Sequence, residues 1–132
     1  MVEDEVVGAI TKGIMILFGA EKGDTVDALK YLADKALNLR IFSDKEGKMN
    51  LSCKDINGEI LVVSQFTLAG DCSRGRRPGF DRAAKPNEAQ ANYNNFIAEL
   101  LTSGLKVESG KFGADMMLNI QNDGPVTFIL EK

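Results

Sequence analysis

The stretch that most constrains this chain is Ile60-Leu-Val-Val-Ser-Gln-Phe-Thr-Leu68. It is nearly continuous in apolar and β-branched residues, as a strand buried on both faces must be. Such a strand needs a layer on each side, so the rest of the chain has to build a core around it. A chain of 132 residues can do so as one domain, residues 1–132. At this size it buries about two-thirds of its unfolded surface and needs no staples. Apolar residues at 44% and charged residues at 27% suit a globule and exclude wholesale disorder.

The neighbouring segments can be read in the same way. Val6–Ile10 and Ile14–Ala20 are apolar and β-prone, with Lys12-Gly13 between them, and predict a hairpin. Asp24-Thr25 has the character of a helix N-cap. Val26, Leu29, Leu32, Ala33, Ala36 and Leu37 then follow at helical spacing, predicting a helix over about 25–38. Leu39–Phe42 and Met49–Ser52 read as short strands around a turn at Asp44–Gly47. Asp71–Lys85 reads as a polar loop of functional length. Pro86 opens a second helix with Tyr93, Phe96, Ile97, Leu100 and Leu101 on its apolar stripe, and Gly104 closes it. Val107, Met116–Gln121 and Pro125–Glu131 read as strands. The predicted class is α+β, with a curved antiparallel or mixed sheet, or a barrel, and two helices. A parallel arrangement calls for more crossover helices.

Composition removes several chemistries. There is no histidine, which excludes Ser-His-Asp and Cys-His-Asn catalysis, imidazole zinc sites and the ordinary neutral-pH base. Two cysteines, Cys53 and Cys72, cannot make a four-ligand zinc site, and no other metal ligand set is visible. A net charge of −3 excludes nucleic-acid binding through bulk positive charge but not through a local patch. No apolar run approaches the ~18 residues of a membrane span. The acidic start Met1-Val-Glu-Asp-Glu5 is not a secretory signal, so a cytoplasmic protein with reduced thiols is expected. Gly8-x₄-Gly13 lacks the Lys-Ser/Thr of a phosphate loop. Ser103-Gly-Leu-Lys106 lacks the companion motifs of a Ser-Lys enzyme.

Three segments stand out. Ser64, Gln65 and Thr67 place two hydroxyls and an amide in an apolar run. They either pair with backbone or line a pocket with donors and acceptors. Asn122-Asp-Gly-Pro-Val-Thr127 is a turn, and Gly124-Pro125 permits a cis bond whose flanking carbonyls point the same way. Arg74-Gly-Arg-Arg-Pro78, with Arg82 and Lys85 nearby, is a basic loop on an acidic chain. Its charges are either simply solvated or contact phosphate.

Gly58–Leu68, Gly75-Arg-Arg-Pro78, Gly110-Lys-Phe-Gly-Ala-Asp-Met116 and Asn122–Thr127, together with Asn38–Phe42 and Glu46–Asn50, resemble the D-aminoacyl-tRNA deacylases from about Val2 to Glu131. This resemblance implies a homodimer that hydrolyses the ester of D-aminoacyl-tRNA, or of mischarged glycyl-tRNA, in translation quality control, without a cofactor and away from membranes. Ser64, Gln65, Phe66 and Thr67 would line the pocket, with Met116 beside it. Gly124 and Pro125 would reach into the partner's pocket, hold the α-amino group and leave no room for an L side chain. Arg74, Arg76 and Arg77 are the candidates for tRNA phosphate contact. Thr67 is the candidate catalytic side chain. It has no evident base, so positioning of the ester, with the terminal ribose 2′-hydroxyl assisting a water, is the expected role. The family's first strand lies ahead of this chain's Met1: either the start site is wrongly assigned, or a strand is missing, which would expose a sheet edge. Gly70 and Gly79 stand where the family has alanine and serine. The alternative is a catalytically inactive tRNA-binding relative.

Overall fold

In the computed structural model, which describes residues 1–132, the dominant strand signal becomes β4, Glu59–Ser64. It lies in the middle of a three-stranded sheet, between β1 (Gly13–Phe18) and β5 (Val107–Ser109). Both pairings are parallel, with Ile14 opposite Ile60 and Phe18 opposite Ser64 on one side, and Ile60 opposite Val107 on the other. The expected hairpin at Lys12-Gly13 does not form, and residues 6–10 are not a strand. Each parallel connection needs one crossover, and the two helices supply them. Helix α1 (Val26–Asn38) lies between β1 and β4, and α2 (Pro86–Leu101) lies between β4 and β5. The antiparallel pairing sits outside this sheet, in a small hairpin of β2 (Phe42–Ser43) and β3 (Met49–Leu51). The architecture is therefore α+β with two helices. The parallel sheet is open, with β1 and β5 at its edges, and no barrel closes.

Period-2 alternation explains the packing. Ile14, Ile16 and Phe18 of β1, and Ile60 and Val62 of β4, face the helices. There they meet Leu29, Ala33 and Leu37 of α1 and Tyr93, Phe96 and Leu100 of α2. Phe18 stacks on Phe96 with ring centroids 4.8 Å apart. Helix α1 begins where Thr25 accepts a hydrogen bond from the Ala28 amide at 3.1 Å, satisfying an otherwise orphaned donor. Cys53 is buried against the same core, and burial pushes its thiol pKa up.

The C-terminal third departs most from expectation. Met116–Gln121 and Pro125–Glu131 are not strands, and no backbone–backbone hydrogen bond is made by residues 118–132. Strands need partners, and within one chain this segment has none. It leaves Ile120, Phe128 and Ile129 at 55%, 52% and 84% exposure, an unusual concentration of bare apolar surface.

Candidate active site

Ser64 ends β4, and its neighbour Gln65 makes the last bond to β1, donating its amide to the Phe18 carbonyl at 2.8 Å. The chain then coils into a 3-10 turn over Phe66–Ala69 rather than continuing as strand to Leu68. The Leu68 amide donates to the Gln65 carbonyl and the Gly70 amide to that of Thr67, at 3.2 and 3.0 Å. This turn lifts Phe66, Thr67 and Leu68 off the sheet, and all three are exposed. The polar groups that interrupt the apolar run are thus presented at the C-terminal end of a parallel sheet, where open α/β sheets gather their ligands.

Gln65 Nε2 donates to Thr67 Oγ1 at 2.5 Å. One hydroxyl lone pair is thereby occupied, and its proton is free to donate elsewhere. An amide is no base at neutral pH, no carboxylate bonds to Thr67, and the chain has no histidine. Nothing in the chain activates Thr67 as a nucleophile.

Met116 reaches the same end of the sheet. Gly110 follows β5 and donates its amide to the Val62 carbonyl at 3.0 Å. A Cβ at Gly110 would lie 2.7 Å from Met116 Sδ and 3.6 Å from Val63 Cγ2, so the methionine packs into space that only a glycine leaves open. Tyr93 of α2 donates its hydroxyl to the same Val62 carbonyl at 2.8 Å. Val62 therefore joins the strand before Ser64, the segment leading to Met116, and helix α2. Sequence reasoning placed Tyr93 on an apolar stripe and missed this role. The available signal was its phenol, since a buried hydroxyl needs an acceptor.

Gly124-Pro125 is a cis peptide. Its loop is braced internally: the Asn122 side chain accepts from the Val126 amide and donates to Thr127 Oγ1, both at 3.2 Å. Gly124 has φ +134°, a conformation that L side chains rarely adopt. No hydrogen bond links residues 122–127 to Ser64–Thr67. Met116 packs against Gly110 at the level of Val63, and its surface depression is shared with Met1, Glu3, Asp4, Asp115 and Met117 rather than with Ser64–Thr67.

The basic loop is built as a closed tongue. Asp71 and Gly79 exchange two backbone hydrogen bonds at 2.7 and 2.9 Å. The Asp71 carboxylate accepts from Ser73, which holds its pKa below the usual carboxylate range. Arg74, Arg76 and Arg77 lie between these ends, exposed and without ion pairs, while Arg82 reaches Glu21 at 4.0 Å. One surface depression lies away from these residues at the start of α1, and another includes Met116, with Met1, Glu3, Asp4, Asp115 and Met117. No three His, Cys, Asp or Glu side chains converge as metal ligands.

The D-Tyr-tRNA(Tyr) deacylase family profile matches residues 1–131. The chain belongs to this family. It is 57% identical over 131 residues to a D-aminoacyl-tRNA deacylase of Clostridium botulinum (strain Alaska E43 / Type E3), covering 99% of this chain and 88% of that one. It is 55% identical over 132 residues to the Thermotoga petrophila D-aminoacyl-tRNA deacylase, covering 100% and 89%. Among solved structures, the c-Myc DNA Unwinding Element Binding Protein superimposes with a TM-score of 0.94 at 42% identity, over 100% of this chain and 90% of that one. A probable eukaryotic D-amino acid tRNA deacylase shares the fold, with a TM-score of 0.66 at 21% identity over 80% and 77% of the two chains. No helix is long and apolar enough to cross a membrane.

Proposed function

We propose that this chain hydrolyses the ester of D-aminoacyl-tRNA, and of mischarged glycyl-tRNA, in the cytoplasm, as a homodimer. The observation that carries the reading is the exposed Thr67 hydroxyl, held by Gln65 beside Ser64 and Phe66, in a chain that matches the deacylase family end to end. With one lone pair taken by Gln65, Thr67 is a donor to the substrate's carbonyl oxygen or to the attacking water. An aminoacyl ester is already activated, so orientation and charge stabilisation supply the remaining catalysis. Water adds to the ester carbonyl with the adjacent ribose 2′-hydroxyl assisting its deprotonation. The acyl C–O bond then breaks, and the proton passes to the leaving 3′-oxygen.

The dimer supplies the missing wall. In one chain Thr67 is open to solvent and Gly124-Pro125 lies unpaired with it. The bare C-terminal segment supports burial against a second copy. In this reading Gly124-Pro125 enters the partner's pocket, its carbonyls hold the α-amino group, and rigid backbone occupies the space an L side chain needs. Arg74, Arg76 and Arg77 contact tRNA phosphates.

Release of amino acid from D-tyrosyl- and L-tyrosyl-tRNA tests the activity. Fast D release with the L ester intact is expected, and no release of either would favour the inactive relative. Thr67→Val should abolish turnover while tRNA binding persists, and near-normal turnover would refute the role given to Thr67. Mixing Thr67→Val with a second inactive variant at Gly124 should restore activity at roughly a quarter of the sites, because one pocket of each mixed dimer is intact.

A further inference from the structure

Phe66 and Phe80 form a second feature beside Thr67. Their rings are 5.1 Å apart at an interplanar angle of 58°, yet they remain 58% and 37% exposed. Two phenylalanines in contact and still bare are not a core pair. Both are fixed from behind. Phe66 lies in the 3-10 turn next to Thr67. Phe80 packs over Gly70, where a Cβ would come within 3.2 Å of its ring. The chain on the far side of Phe80 is tied down as well. The Lys22 amide donates to the Arg82 carbonyl at 2.9 Å, and the Ala84 amide to the Ala20 carbonyl at 3.0 Å. Phe80 directly follows the tongue that Asp71 and Gly79 close, whose Arg74, Arg76 and Arg77 have no acidic partner.

The Thr67 hydroxyl, the aromatic pair and the unpaired guanidinium groups thus belong to adjoining segments, the 3-10 turn and the tongue closed by Asp71 and Gly79. An aminoacylated single strand offers partners for all three: an ester at its 3′ end and, behind it, bases alternating with phosphates. Exposed aromatics beside unpaired arginines are the combination that binds unpaired nucleotides, the rings by stacking and the guanidinium groups by charge. We propose that Phe66 and Phe80 form a stacking platform for an unpaired base of the tRNA 3′ end. The platform rests on the deacylase reading for the identity of the strand and deepens it by assigning Phe80, outside the pocket motifs, to substrate binding.

The test is fluorescence titration of the whole protein with the single-stranded trinucleotide CCA carrying 2-aminopurine at each position in turn, since stacking quenches this base. Wild type should quench at least one position. Phe80→Leu keeps an apolar side chain and should weaken binding by about 5- to 150-fold, the range reported for loss of one stacked base. Phe80→Tyr should restore wild-type quenching. Phe66→Leu provides the same reading from the other ring should Phe80→Leu not fold. Absence of quenching by wild type at saturation would overturn the platform, as would wild-type binding by both leucine variants or a tyrosine no better than leucine. The oligonucleotide carries no ester. Quenching without turnover of D-tyrosyl-tRNA would therefore refute the proposed hydrolysis and leave the stacking site standing.

Discussion

Tyr93→Phe isolates one hydrogen bond. Tyr93 is 3% exposed, and its ring packs near Phe18 and Phe112, with centroids 6.1 and 5.8 Å away. Phenylalanine keeps those contacts and removes only the hydroxyl. The Val62 carbonyl is not orphaned, because the Gly110 amide still donates to it. The loss is therefore that of one hydrogen bond, about 0.5–1.5 kcal/mol, rather than that of a buried unsatisfied acceptor. At ~2.1 cal/mol/K per residue, 132 residues give an unfolding entropy of roughly 0.28 kcal/mol/K. A loss of ~1 kcal/mol thus lowers Tm by about 4 °C. Tyr93→Ala opens a cavity as well and should cost about 3–5 kcal/mol. Thermal unfolding at one fixed protein concentration measures both, a precaution that self-association demands. A Tyr93→Phe loss as large as that of Tyr93→Ala, or no loss at all, would refute the assignment of Val62 as a doubly satisfied acceptor.

Gly124→Ala should lower D-ester turnover and relax discrimination against L esters. Alanine is strained at φ +134°, and its Cβ would sit 2.7 Å from Val126 Cγ2; full discrimination by this variant, measured on paired D- and L-tyrosyl-tRNA, would contradict the gatekeeping role. The Thr11 amide, and then Lys106, hold the Glu59 carboxyl below its ordinary 4.5. A depressed pKa stabilises the fold above the unfolded value and loses that contribution as pH falls through the folded one. Glu59→Gln should accordingly flatten the loss of Tm below pH 4.5, and an unchanged acid limb would exclude Glu59 as a contributor. Thiol labelling of the native protein at neutral pH should modify exposed Cys72 and spare Cys53, whose burial raises its pKa, whereas both should react in denaturant. Mass spectrometry of the labelled peptides checks the order.

The elements legible in the sequence were those whose local signals agree with their tertiary role. Thr25 and Pro86 mark helix starts, Gly104 follows the end of α2, and Ile60–Val63 can only be core. Strand direction was not legible. Ile14–Phe18 carries the same alternation whether it pairs with a hairpin neighbour or with a strand beyond a helix. The 3-10 turn at Phe66–Ala69 was hidden because Phe66, Thr67 and Leu68 have β-prone side chains, and the bonds that curl the chain belong to backbone. Met116 was singled out only through family resemblance. Its physical seat depends on Gly110, whose significance is an absent side chain. The strands expected in residues 116–131 follow correctly from alternation, but alternation reports an apolar face and not whether the same chain supplies what covers it.

The parallel sheet also dictates when a working molecule can exist. Its three strands come from residues 13–18, 59–64 and 107–109, so about 40 residues separate each from the next. Each pairing must close a long loop before any rung repays the entropy, so assembly is dominated by non-local steps. During synthesis, β1 and β4 can join while the chain is about half made, but the Val62 carbonyl receives neither of its donors until α2 and Gly110 have emerged. A nascent chain stopped before that point exposes β4, the most apolar strand of the protein, along an unpaired edge. Such intermediates are where aggregation begins. The late-arriving β5 is only three residues long, but it covers that edge and converts an association-prone fragment into a folded domain.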